Sequence, residues 1–211
     1  MRRLVPLACA LLLGSALADT AEGTYDVRRY LRDGQVETST LRVTVSGKGL
    51  TFDWDGGKVT GLGLRVGDAV AVAYGNPDCG IALYEQQGNV FSGVWTYSGQ
   101  ATGTETFTWD GLKSARVAVR GQNPDGSTYT GELLLPLDQG ASLPRWKIGT
   151  EVTDGAGLLE DGLFAVAFGS ERCNVALYSV IELTGQLLGT FFQVTVTDTL
   201  PERVAEIAVR R

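Results

Sequence analysis

Residues 61–84 read GLGLRVGDAVAVAYGNPDCGIALY, and residues 155–178 read GAGLLEDGLFAVAFGSERCNVALY. Superposed without a gap at an offset of 94, the two windows agree at 11 of 24 positions, among them Gly61/Gly155, Ala71/Ala165, Ala73/Ala167, Cys79/Cys173 and Tyr84/Tyr178. Identity of that extent at a fixed offset marks an internal duplication. The windows also carry a period of two. Val70, Val72 and Tyr74 alternate with Ala69, Ala71 and Ala73, and the copy alternates Phe164, Val166 and Phe168 with Leu163, Ala165 and Ala167. Such alternation is that of β-strands. A strand with one wet face shows polar residues at every second position, and neither face does so here. The large residues read as the core of each repeat. The small-residue faces of Ala71, Ala73, Ala165 and Ala167 read as covered by the other repeat.

Outward from these windows the chain reads as strands throughout. Val, Thr, Tyr, Phe and Trp recur in short runs, separated by turn signals such as Asp33-Gly34, Ser46-Gly47-Lys48-Gly49 and Asp55-Gly56-Gly57. The second half repeats the plan. Asp125-Gly126 answers Asp33-Gly34, Trp146 answers Trp54, and Gly189 and Phe191 echo Gly93 and Trp95. The tail from Val204 to Arg211 takes the place of the last strand, with a short helix after Pro201 as the alternative. The expected fold is all-β: two tandem antiparallel meanders, 19–111 and 112–211, each a small or flattened barrel of calycin-like kind, packed on each other.

The first 18 residues have a basic start at Arg2 and Arg3, an apolar run from Leu4 to Leu13, and Ala16-Leu17-Ala18 before Asp19. That is the layout of a secretory signal peptide, and the run is too short for a membrane-spanning helix. The expected location is therefore secreted, periplasmic or cell-envelope, with no transmembrane segment. The formal net charge is −6. Cleavage would leave 16 basic against 24 acidic residues, a net of −8. An acidic surface repels phosphate backbones and anionic headgroups, so nucleic acid is excluded as an expected partner.

The chain contains no histidine. Its absence removes Ser-His-Asp and Cys-His catalysis, imidazole metal sites and the commonest acid–base group active near neutrality. No other constellation replaces it, so the expectation is a non-enzymatic protein without cofactor or metal. Asp53-x-Asp55-Gly56 has the opening of a calcium loop, but Leu64 stands where an EF-hand needs Glu, and Asp-Gly-Gly reads as a turn. Glu105, between Thr104 and Thr106, reads as an isolated acid on an outward strand face. Trp54, Trp95, Trp109 and Trp146 read as core or barrel plugs rather than a ligand platform.

Two sets of residues remain as candidate contacts. Cys79 and Cys173 occupy equivalent positions in an oxidising compartment, and are either bonded to each other or two buried core thiols. Asp53-Trp54-Asp55 and Arg145-Trp146-Lys147 place opposite charges around equivalent tryptophans. They read either as a docking contact between the repeats or as two solvated strand ends.

The run Gly61 to Gly75, followed by Cys79-Gly80-Ile81-Ala82-Leu83-Tyr84 and Ser92-Gly93-Val94-Trp95, resembles a group of exported bacterial β-proteins, some labelled fibronectin-binding or extracellular-matrix-binding. The resemblance covers about Thr24 to Trp109 and, more faintly, Ala115 to Val209. It carries no active site. It implies an exported interaction protein that binds a protein or polymer partner at the cell envelope. Gly93-x-Trp95 is similar to the signature of lipocalins and avidins, whose copy lies on the first strand, so that likeness is architectural. The rival expectation is a carrier of a small apolar ligand inside a barrel. A cavity of ~300–1,000 Å³ would mark the carrier. Filled barrels with an exposed apolar patch would mark the interaction protein.

Overall fold

The computed structural model describes residues 21–31, 33–112, 114–169, 173–192 and 203–211. The expected signal peptide, 1–18, lies outside them, as do Pro201 and Glu202. Among the described residues every regular element is a strand, and none forms a helix long and apolar enough to cross a membrane.

The first repeat contributes β1 (Gly23–Tyr30), β2 (Val36–Ser46), β3 (Gly49–Trp54), β4 (Val59–Val66), β5 (Ala69–Tyr74), β6 (Gly80–Gln87), β7 (Val90–Thr96) and β8 (Gly103–Thr108). The second contributes β9 (Ser114–Gln122), β10 (Thr128–Asp138), the two-residue β11 (Ala141–Ser142), β12 (Arg145–Ile148), β13 (Glu151–Glu160), β14 (Leu163–Gly169), β15 (Asn174–Ile181), β16 (Gln186–Phe192) and β17 (Arg203–Arg210). The tail is thus a strand, β17, in the place of β8.

The strands close into two antiparallel barrels of eight, but the barrels do not coincide with the sequence repeats 19–111 and 112–211. Barrel 1 runs β1-β17-β16-β15-β5-β4-β3-β2. Barrel 2 runs β10-β12-β13-β14-β6-β7-β8-β9, with β11 pairing between β10 and β13. Each repeat gives its first strands to one barrel and its last three to the other. The chain leaves barrel 1 after β5, builds all of barrel 2 from β6 to β14, then returns to barrel 1 as β15. The two seams are equivalent. Ala71 faces Leu177 and Val70 faces Tyr178 across β5–β15, while Ala165 faces Leu83 and Phe164 faces Tyr84 across β14–β6. Adding 94 to one set and subtracting it from the other interchanges them, so an approximate two-fold relates the barrels.

Strand alternation sorts the core into three clusters. Tyr25, Leu41, Phe52, Trp54, Val70, Val72 and Tyr178 fill barrel 1. Tyr84, Phe91, Phe107, Leu133, Trp146, Phe164 and Val166 fill barrel 2. Between the barrels lies a layer of small residues: Ala71, Ala73, Ala165 and Ala167 with Ile81, Leu83, Val175 and Leu177. The four alanines are fully buried. Their short side chains let two sheets approach closely, which is why these strands lack the polar alternation of a solvated face.

Cys79 and Cys173 lie in the same layer and form a disulfide, with Cα atoms 5.8 Å apart. One cysteine precedes β6 and the other precedes β15, so the bond ties together the two places where the chain changes barrels.

Candidate functional site

Among the described residues each barrel holds one buried glutamate. On β8, Thr104, Thr106 and Thr108 point outward, while Gly103, Glu105 and Phe107 point inward. Glu105 is only 5% exposed, which corrects the expectation of an outward acid. The phase that Glu105 shares with Phe107 was the available signal. On β17 the counterpart is Glu206, 1% exposed. Both face a glycine on the neighbouring strand, and that glycine faces a tyrosine on the next: Glu105, Gly93 and Tyr84 in barrel 2, Glu206, Gly189 and Tyr178 in barrel 1.

The glycines are required by contact. A Cβ on Gly93 would stand 2.4 Å from Tyr84 Cδ1, and one on Gly189 would stand 2.3 Å from Tyr178 Cδ1. Each phenol ring lies across the glycine and reaches the glutamate one strand further on. Replacing Gly189 with Ala is expected to force the Tyr178 ring from its place and to destabilise the protein by about 1–3 kcal/mol. The urea midpoint of the variant measures this, and an unchanged midpoint would contradict it.

In barrel 2, Glu105 Oε1 accepts from the Tyr84 hydroxyl (2.9 Å) and the Trp146 indole N–H (3.0 Å), and Oε2 accepts from the Tyr129 hydroxyl (2.9 Å). All three donors are neutral. Burial raises the Glu105 pKa and the three hydrogen bonds oppose the rise. Burial, with the nearby carboxylate, likewise raises Tyr84 and Tyr129. Trp95 Nε1 is buried beside the Tyr129 hydroxyl, whose pKa it lowers, without the geometry of a hydrogen bond.

In barrel 1, Glu206 Oε1 accepts from Tyr178 (2.8 Å), and Oε2 accepts from Arg29 Nε (3.2 Å) and Nη2 (3.0 Å). Here a full positive charge faces the carboxylate. Burial still raises the Glu206 pKa; Arg29 is the largest opposing influence, followed by Tyr178, and Trp54 also lowers it. The Trp54 indole N–H is buried without a partner of good geometry.

A raised carboxylate pKa means that the folded protein holds its proton more tightly than the unfolded chain. Stability from such a group is present below the unfolded pKa and is lost as pH rises through the folded one. Urea titrations of wild type and Glu105→Gln should therefore diverge in favour of Gln as pH rises from about 4.5, the ordinary glutamate value. A pH-independent difference would contradict the assignment.

Each barrel has a mouth: Glu105 itself lines that of barrel 2, and Arg29, the partner of Glu206, lines that of barrel 1. The barrel 2 mouth is a cavity of about 250 Å³. Its aromatic lining is Tyr84, Trp95, Tyr97, Tyr129, Trp146 and Phe168, and its polar lining is Glu105, Asn123, Glu151 and Thr153, with Ile148. The barrel 1 mouth, about 490 Å³, is lined by Arg29, Glu37, Trp54, Asp55, Tyr74 and Phe191, among others. Of the four tryptophans read as plugs, Trp54 and Trp146 are buried and still form cavity wall, and Trp95 is a wall as well.

The charged triplets do not meet. Trp54 and Trp146 point into separate barrels, so their flanking charges turn outward from each. Arg145 pairs with Asp154 on β13 through two hydrogen bonds (2.5 and 3.1 Å). Asp55 accepts from the Thr40 backbone N–H (2.9 Å). Lys147 stands opposite Glu132, and Asp53 opposite Arg42. Among the described residues no ion pair or hydrogen bond joins Asp53 or Asp55 to Arg145 or Lys147. Of the two readings, docking contact or separate strand ends, the triplets take the second, and the contact between the barrels is made by the alanine layer and the disulfide. Asp55, Gly56 and Gly57 all have positive φ (50°, 69° and 91°), so the Asp-x-Asp-Gly segment is a tight turn.

Fold and site together define an all-β double barrel with exchanged strands and, among the described residues, one enclosed glutamate in each barrel. Compared with protein-family models, curated proteins and solved structures, the chain matches none.

Proposed function

We propose that this is an exported, non-enzymatic binding protein that holds a small amphipathic molecule in the mouth of barrel 2. The observation that carries the reading is the cavity of about 250 Å³ walled by six aromatic side chains over a buried carboxylate. Ligand sites are concave, largely apolar, and supplied with a few convergent polar groups. This mouth has that composition. Its volume lies just under the ~300 Å³ at which ordinary ligand pockets begin, so the ligand is small. The wall is aromatic rather than aliphatic and its floor carries a carboxyl group, which favours an amphipathic guest over the purely apolar one expected for a carrier.

Thr153, on the cavity wall, supplies the test. Tryptophan emission of the wild type should change on titration with small aromatic compounds, because Trp95 and Trp146 line the site. Thr153→Trp, which fills the mouth, should abolish the saturable response. If no compound gives a saturable change, or if the filled variant binds as the wild type does, the reading fails.

A further inference from the structure

Barrel 1 contains within itself what barrel 2 lacks. The Arg29 guanidinium lies over the Phe191 ring, 4.6 Å from its centroid, while pairing with Glu206 at 3.0 Å. A cation is thereby held between an aromatic face and a buried carboxylate, a favourable arrangement on both counts. Strand register identifies the counterparts in barrel 2. Arg29 faces Glu206 across β1–β17, and Gly121 faces Glu105 across β9–β8. Glu37 faces Arg29 on the other side, and Tyr129 faces Gly121. Phe191 on β16 faces Val204, as Trp95 on β7 faces Gly103.

So where barrel 1 has Arg29, barrel 2 has no side chain. Tyr129 leans across Gly121, where a Cβ would stand 2.2 Å from its ring carbon Cζ, and its hydroxyl takes the hydrogen bond to the carboxylate. Tyr129 replaces the bond but not the charge. Among the described residues lining the barrel 2 mouth there is no Lys or Arg, and a second acid, Glu151, stands there with Glu105. A buried carboxylate without a counter-charge is costly to keep ionised.

We infer that the barrel 2 mouth binds a small organic cation, an ammonium or guanidinium on an apolar body, its charge standing to Glu105 and Trp95 as the Arg29 guanidinium stands to Glu206 and Phe191. The inference rests on the small-ligand reading above and narrows it to one charge class. The aromatic walls take the apolar body, and the carboxylate takes the charge.

The probes are 2-phenylethylamine, a cation at neutral pH, and 2-phenylethanol, a neutral molecule of the same shape, titrated calorimetrically into the full protein. The amine is expected to bind at least about tenfold more tightly than the alcohol, the scale of one charge-assisted contact. Glu105→Gln should bring the ratio close to one. The double variant Gly121→Arg with Tyr129→Glu rebuilds the barrel 1 arrangement and should fold, melt no lower than wild type, and no longer bind the amine. Equal binding of amine and alcohol by the wild type would overturn the cation inference and leave the small-ligand reading standing. Absence of binding by either, together with a silent aromatic panel, would overturn both. An amine preference that survives in Glu105→Gln, shown folded by circular dichroism, would overturn the role of Glu105.

Discussion

Cut once between Asp110 and Gly111, in the link from β8 to β9, the chain is expected to elute from gel filtration as one intact particle, and to do so even after reduction. Four strand pairs join the repeats: β1–β17, β5–β15, β14–β6 and β8–β9. Parting the fragments would strip three strands from each barrel and expose the aromatic cores that they enclose. A protease site inserted at this position, followed by cleavage and chromatography with and without dithiothreitol, gives the result directly. Two barrels made of 19–111 and 112–211 side by side would separate once the disulfide was reduced. Separation into two folded halves would refute the exchanged topology.

The second large effect belongs to the disulfide. Replacing Cys79 and Cys173 together with Ala is expected to lower the unfolding free energy by about 4–5 kcal/mol, because the bond closes a loop of 94 residues and restricts the unfolded chain accordingly. The same loss should follow reduction of the wild type, and the double variant should then be indifferent to reductant. Guanidinium denaturation under both conditions makes the comparison. A loss below about 1 kcal/mol would show that the crossovers are held by their alanine layer alone, with little left for the covalent tie to add.

Much of the architecture was legible in the repeat. The period of two, the small faces opposite large ones, and the equivalence of the two cysteines are all properties of local sequence, and each has its counterpart in the three core layers. The exchange of strands was not legible, for a physical reason. Strand β5 could pair with Ala82-Leu83-Tyr84 on β6 or with the identical Ala176-Leu177-Tyr178 on β15. The duplicated sequence gives both partners the same side chains. The intervening residues 75–79 suit a hairpin or a crossover alike, so nothing local selects one. Glu105 was misread because its threonine neighbours signal a solvated strand, whereas alternation places only those neighbours outside. Its twin Glu206 sits 101 residues on rather than 94, beyond the insertions that follow the shared window, so the match escaped. Arg29 gave no signal at all. Its meaning depends on β17, which the fold brings to it from the far end of the chain.

The order of strands also bears on how the molecule is made. Barrel 2 is one unbroken stretch of polypeptide from β6 to β14, inserted in the sequence between β5 and β15 of barrel 1, whose own strands come from the two ends. As the chain is made from its amino end, β1 through β5 arrive first and must wait, with an open edge at β1 and another at β5, while barrel 2 completes itself. Barrel 1 shuts only when the last strand, β17, has been made.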